Sequence, residues 1–66
     1  MQISLNGEPR SIARGETIAG LLSSLNIDPA RVAVELDRRI VKQPEWPTTI
    51  LHEGAQVEIA QFVGGG

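Results

Sequence analysis

The chain opens with alternating apolar and polar positions, and Met1-Gln2-Ile3-Ser4-Leu5 puts Ile3 and Leu5 on one side of an extended strand. Asn6-Gly7 follows, a dipeptide suited to a type I′ hairpin turn because both central residues of that turn need positive φ. Glu8 to Ala13 is therefore the expected return strand, with Ile12 pointing inward. Pro9 has no N–H to give to a ladder, which places it at the start of that strand or on an open edge. After Arg14-Gly15-Glu16 the period changes. Ile18, Leu21, Leu22 and Leu25 fall at i, i+3, i+4 and i+7, one face of a helix, and Thr17 stands before them as an N-cap. Gly20 costs this helix about 1 kcal/mol relative to alanine and marks either close backbone contact with a sheet or a neutral position. Asn26 and Asp28-Pro29 end the helix.

Period two then returns. Val32, Val34 and Leu36 face inward, Asp37-Arg38-Arg39 is the expected turn, and Ile40-Val41 is a short following strand. Gln43 to Thr49 carries two prolines around Trp46 and reads as an irregular segment or a single tight turn of helix. Ile50-Leu51 resumes apolar character, His52-Glu53-Gly54 is a turn, and Ala55 to Val63 is the last strand. The order is β-β-α-β-β-β. One amphipathic helix suffices to cover one face of a small mixed sheet, so the expected class is two-layer α+β. A hairpin followed by a helix that crosses back corresponds to the β-grasp arrangement, with the first and last strands parallel in the middle of the sheet. Residues after the last strand then project from the centre of the sheet into solvent.

Composition narrows the chemistry. With 66 residues the chain is one domain, and a domain of this size buries only ~60% of the surface its unfolded chain exposes. There is no cysteine, which excludes disulfides, thiolate metal sites and a thiol nucleophile. Trp46 and Phe62 are the only aromatics, so burial falls to aliphatic residues. A net charge of −2 with both signs scattered, and no basic patch with interleaved aromatics, points away from nucleic acid. No apolar run approaches the ~20 residues that span a bilayer. Strand-like sequence begins within a few residues of Met1, so no leader is expected and the cytoplasm is the expected compartment.

No catalytic constellation is visible. His52 is the sole histidine, has no cysteine partner, and reads as a solvated turn residue rather than a ligand or base. Ser11, Ser23 and Ser24 lie in no nucleophile motif, and GxGxxG and GxxxxGK[ST] are both absent. Arg38 and Arg39 read as an exposed turn, and Trp46 as a lid over one end of the core. Along the last strand, Val57, Ile59, Gln61 and Val63 share one face and Glu58, Ala60 and Phe62 the other. An aromatic on the face away from the helix, at the root of the terminal glycines, is a docking candidate together with Val63; the alternative is a bulge that turns Phe62 back into the core.

The whole chain resembles the thiamine-biosynthesis sulfur carrier (ThiS) family of ubiquitin-like β-grasp proteins. The resemblance rests on the starting M-Q-I-x-L-N-G, on Gly15-Glu16-Thr17-Ile18 leading into a helix with Leu21-Leu22, and on Val32-Ala33-Val34-Glu35. It continues through Ile40-Val41, Glu45-Trp46, His52-Glu53-Gly54 before Val57-Glu58-Ile59, and the end Phe62-Val63-Gly64-Gly65-Gly66. Two departures stand out: Asp37-Arg38 where such proteins often carry Asn-Gly, and Gly20 where they often carry an acidic residue.

The resemblance implies residues 1–63 as a β-grasp domain and 64–66 as a flexible tail, with no cofactor held stably. It implies that the α-carboxylate of Gly66 is adenylated by a ThiF-like adenylyltransferase that binds the ATP. A sulfur donor such as a cysteine desulfurase would then supply the sulfur of a thiocarboxylate, which is passed to a thiazole synthase of the ThiG type. On this reading the chain is a carrier and not an enzyme. Gly64, Gly65 and Gly66, lacking Cβ atoms, suit a narrow active-site channel in a partner. The absence of an internal thiol leaves nothing in the chain to intercept an acyl-adenylate. Rival readings are a carrier like the small subunit of molybdopterin synthase, a ubiquitin-like modifier that conjugates to lysines, and a plain interaction module with an idle tail.

Overall fold

The computed structural model describes residues 1–62. Strands β1 (Gln2–Leu5) and β2 (Glu8–Ser11) form the opening hairpin, α1 (Ile18–Ser24) crosses the sheet, and β3 (Val32–Leu36), β4 (Arg39–Val41) and β5 (Gln56–Gln61) complete it. Short 3₁₀ turns at Pro29–Arg31 and Gln43–Thr48 fill the connections. The sheet order is β2-β1-β5-β3-β4. β1 and β5 are parallel and adjacent, and β3 runs antiparallel to both β5 and β4. The α+β class, the element order and the central parallel pair are therefore as the sequence pattern predicts.

Each element follows from local chemistry. Asn6 and Gly7 take φ of 50° and 83°, the conformation the hairpin turn requires. Thr17 caps α1, its Oγ1 accepting from Gly20 N–H at 3.0 Å. The helix closes with a Schellman arrangement: Asn26 adopts φ 57°, its N–H donates to Ser23 O, and Ile27 N–H donates to Leu22 O. Ile18, Leu21 and Leu22 are buried, and Leu25, at the C-cap, is half-buried. Pro9 lies on the outer edge strand β2, where a missing N–H costs nothing.

Several boundaries differ from the sequence reading. β2 ends at Ser11 rather than Ala13, although Ile12 still exchanges hydrogen bonds with Met1 and packs against the core. The expected turn Asp37-Arg38-Arg39 contracts to Asp37 and Arg38, and Arg39 belongs to β4. β5 covers Gln56–Gln61, inside the expected span. Gly20 does not approach the sheet. A Cβ there would meet the carboxylate of Glu16, which lies over the first helical turn and accepts from Thr17 N–H at 3.1 Å.

The core is one aliphatic cluster of Ile3, Ile18, Leu21, Leu22, Val32, Val34, Leu51, Ala55 and Val57, with Trp46. Trp46 is buried at the end of this cluster, and its indole N–H donates to Val41 O at 2.7 Å, which fits the expected lid. The segment before Leu51 is tied to the start of the helix by Ile18 N–H to Thr49 O and Leu51 N–H to Glu16 O. No polar or charged residue is buried among the described residues. The helix covers one face of the sheet, and the other face stays open.

Candidate docking site at the root of the tail

β5 lies between β1 and β3, so the chain after it leaves from the middle of the sheet. Three polar devices hold β5. At its start, Asp37 N–H donates to Gln56 O, and Asp37 Oδ1 accepts from Gln56 N–H at 3.0 Å. In its middle, Asn6 acts through its side chain: Oδ1 accepts from Ile59 N–H at 2.8 Å and Nδ2 donates to Ile59 O at 3.3 Å. Asn6 N–H also donates to Val57 O at 2.9 Å. That N–H makes the last bond of the parallel ladder; beyond it the backbone turns into the hairpin, and the Asn6 side-chain amide takes up Ile59, which β1 no longer reaches. At the far end, Phe62 N–H donates to Arg31 O at 2.8 Å.

Register fixes what each face presents. Val32, Val34 and Leu36 stand opposite Gln61, Ile59 and Val57 on the helix side. Ala33 stands opposite Ala60, and Glu35 opposite Glu58, on the open side; Glu35 is also opposite Ile40 of β4. Phe62 follows the same alternation and is 61% exposed, so no bulge returns it to the core. Ile40, 74% exposed, is the other large apolar side chain on this face. Val63, Gly64, Gly65 and Gly66 lie outside the described residues.

His52 is exposed, as expected for a turn residue, but it is not merely solvated. Its Nε2 lies 2.7 Å from Asp37 Oδ2, and its Nδ1 lies 3.0 Å from the carbonyl oxygen of Glu53. Both partners are acceptors, so only the doubly protonated imidazolium satisfies both. The hydrogen bond to Asp37 raises the His52 pKa above its ordinary value, helped by the Glu53 carbonyl. Asp37 is pushed down, first by the Gln56 N–H and then by His52. Sequence reasoning missed both Asp37 and the Asn6 amide as organisers of β5. The Asn-Gly signal gave the turn, but nothing local shows which strand the side chain reaches.

Among the described residues no group of three or more His, Cys, Asp or Glu is placed to hold a metal ion. None of their helices is long and apolar enough to cross a membrane. The arrangement is suited to presenting a chain segment: a braced central strand, an exposed aromatic at its end, and an uncovered face beside it.

The ThiS family model matches residues 3–66. The chain is 32% identical over 66 residues to the sulfur carrier protein ThiS of Escherichia coli, covering all of both proteins. It is 41% identical over its whole length to the thiazole synthase of Magnetococcus marinus, and it spans 20% of that protein's length. Its structure is similar to the crystal structure of the thiamine biosynthesis protein ThiS from Geobacter metallireducens, with a TM-score of 0.87, 30% identity and full coverage of both chains.

Proposed function

Because the chain belongs to the ThiS family, we propose that it is a sulfur carrier in thiazole synthesis whose reactive group is the α-carboxylate of Gly66. The observation that carries this reading is the placement of β5. It is the central strand, hydrogen-bonded on the β1 side as far as Ile59 and on the β3 side through to Phe62 N–H, and the sequence beyond it is Val63 and three glycines.

The chemistry needs little from the chain itself. A carboxylate is a weak electrophile because its charge is spread over two oxygens. An ATP-dependent partner of the ThiF type converts it to an acyl-adenylate with release of pyrophosphate. Sulfur then attacks the acyl carbon, a C–S bond forms, and the bond to the AMP oxygen breaks. With a persulfide donor, a second thiol takes the donor's own sulfur away as a disulfide and leaves the thiocarboxylate. A thiazole synthase then receives the sulfur. The Magnetococcus relative is a thiazole synthase, a fifth of whose length is similar to this chain, and this supports that acceptor.

Reach and ordering set what the fold must supply. Three extended residues span roughly 10 Å, enough to bring a carboxylate to a recessed nucleotide while the globular body stays outside. Ordering them costs about 1–2 kcal/mol per residue, which contacts made by the body must offset. Phe62 and Val63, at the root, are the residues we assign to that contact. The chain acts as co-substrate, ATP is bound by the partner, and the cytoplasm is the compartment consistent with those partners.

Intact-mass measurement tests the reading. After incubation with the adenylating partner, ATP and a sulfur donor, one oxygen should be exchanged for sulfur at Gly66. An unchanged mass, with a partner shown to be active on another carrier, refutes it. Addition of the whole chain to lysines of other proteins would show a modifier instead.

A further inference from the structure

The β3–β5 ladder stops abruptly at Phe62, and one residue arranges the stop. The register, with Val32 opposite Gln61 and Ala33 opposite Ala60, continues to Arg31 opposite Phe62. Opposed residues on antiparallel strands alternate between pairs that exchange two hydrogen bonds and pairs that exchange none. Arg31 and Phe62 fall at an exchanging position, because Phe62 N–H donates to Arg31 O at 2.8 Å. The reciprocal bond would run from Arg31 N–H to Phe62 O. Arg31 N–H donates instead to Asp28 O at 3.0 Å, so the pair is only half made. Asp28 holds this arrangement at three points. Its carbonyl takes the Arg31 N–H, its Oδ1 accepts from Ala30 N–H at 3.0 Å as the cap of the Pro29–Arg31 turn, and its Oδ2 lies 3.5 Å from Arg31 Nε. Both side chains of that ion pair are exposed, so it is worth little, and the cap is the stronger hold.

We propose that Asp28 is a positioning residue for the reactive C-terminus: it makes Phe62 the hinge of the tail, pinned at its N–H and released by Arg31 at its carbonyl. This deepens the carrier reading and rests on it. The consequence is a fixed reach. Only Val63 to Gly66 remain to be ordered when a partner takes the tail, and four extended residues span roughly 13–14 Å. A ladder that ran one residue further would draw the carboxylate back by about 3.3–3.6 Å. A ladder that ended earlier would free Phe62 and add a fifth residue whose ordering the partner must offset. Asp28 acts against both departures. Its carbonyl occupies the N–H that would extend the ladder, and its side chain holds the turn that keeps Arg31 O against Phe62 N–H.

The test is steady-state adenylation by the cognate adenylyltransferase, with the full chain as variable substrate, for wild type, D28A, D28N, F62P and D28A/F62P. D28A loses the cap, and KM for the carrier should rise roughly fivefold to thirtyfold with kcat unchanged. Amide exchange of Phe62 should quicken in D28A while that of Val34 does not. D28N keeps the Oδ1 acceptor and gives up only the charge, so its KM should match wild type. F62P removes the N–H that Arg31 O receives, and adding D28A to it should raise KM no further. A merely structural role would lower the melting temperature of D28A and leave KM unchanged, and that result overturns the proposal. A D28N variant as impaired as D28A also overturns it, because the carboxylate would then meet the enzyme directly. So does a Phe62 amide better protected in D28A than in wild type. Each of these results leaves the carrier reading standing. No adenylation of wild type by an enzyme active on another carrier overturns both.

Discussion

Replacing Asn6 should weaken the protein far more than an exposed turn residue ordinarily would, and it should do so through β5. Two terms add. Asn6 has φ 50°, where a non-glycine residue without a local hydrogen bond is disfavoured by about 1–2 kcal/mol. Its side chain also makes two hydrogen bonds to Ile59, at 2.8 and 3.3 Å, the longer one the weaker. Each is worth about 0.5–1.5 kcal/mol net, and solvent access at this turn puts both toward the lower end. Asn6→Ala should therefore cost about 2–4 kcal/mol. Asn6→Gly relieves the backbone and loses only the bonds, so it should cost about 1–2 kcal/mol. In a domain this small each kcal/mol shifts the melting temperature by about 4–8 °C. The assay is urea unfolding of the two variants, read with amide exchange of Ile59. That amide should lose protection in both variants more than the amide of Val34 on the neighbouring strand does. If Asn6→Ala and Asn6→Gly both lie within about 0.5 kcal/mol of wild type, the level of an ordinary surface substitution, the side chain does not brace β5 and the reasoning fails.

Other outcomes follow from the same structure. The raised His52 pKa and lowered Asp37 pKa set opposite limits. His52's contribution is fully present below its unfolded value near 6.5 and is lost as pH rises through the folded value; Asp37's is present above its unfolded value near 3.8 and is lost as pH falls through its folded value. The urea midpoint should thus decline as pH rises from 6 to 9, His52→Gln should flatten that decline, and NMR titration should find the imidazole above 6.5. Arg38 has φ 69° in the β3–β4 turn, so Arg38→Gly should stabilise the fold by about 0.5–1 kcal/mol in denaturant unfolding, the relief of strain exceeding the added unfolded-state entropy. Gly20→Ala should stabilise α1 by at most about 1 kcal/mol, because the Glu16 carboxylate must swing aside to admit the methyl group. Appending residues after Gly66 should abolish sulfur transfer with the melting temperature unchanged; complementation of a thiamine auxotroph by an unprocessed extended chain would contradict the role of the carboxylate.

The sequence by itself determined the elements and their order. Alternation at Ile3 and Leu5, and again from Val32 to Leu36, with a 3.6-residue period between them at Ile18, Leu21, Leu22 and Leu25, leaves few ways to bury the apolar faces of so short a chain. Asn6-Gly7, Thr17 and Asp28-Pro29 mark the turns and helix ends because each needs a local conformation or a local hydrogen bond that those residues supply. The same alternation put Phe62 on the face away from the helix. Tertiary structure decided everything that depends on partners distant along the chain. Asn6 meets Ile59 across 53 positions and Asp37 meets His52 across 15, and neither meeting leaves a periodic or motif signal. The opposition of Glu35 to Glu58 exists only once β3 and β5 are in register. Local sequence sets the backbone's conformation through short-range sterics and hydrogen bonds. Which side chains then face one another depends on strand pairing, and that is fixed only when the whole core closes.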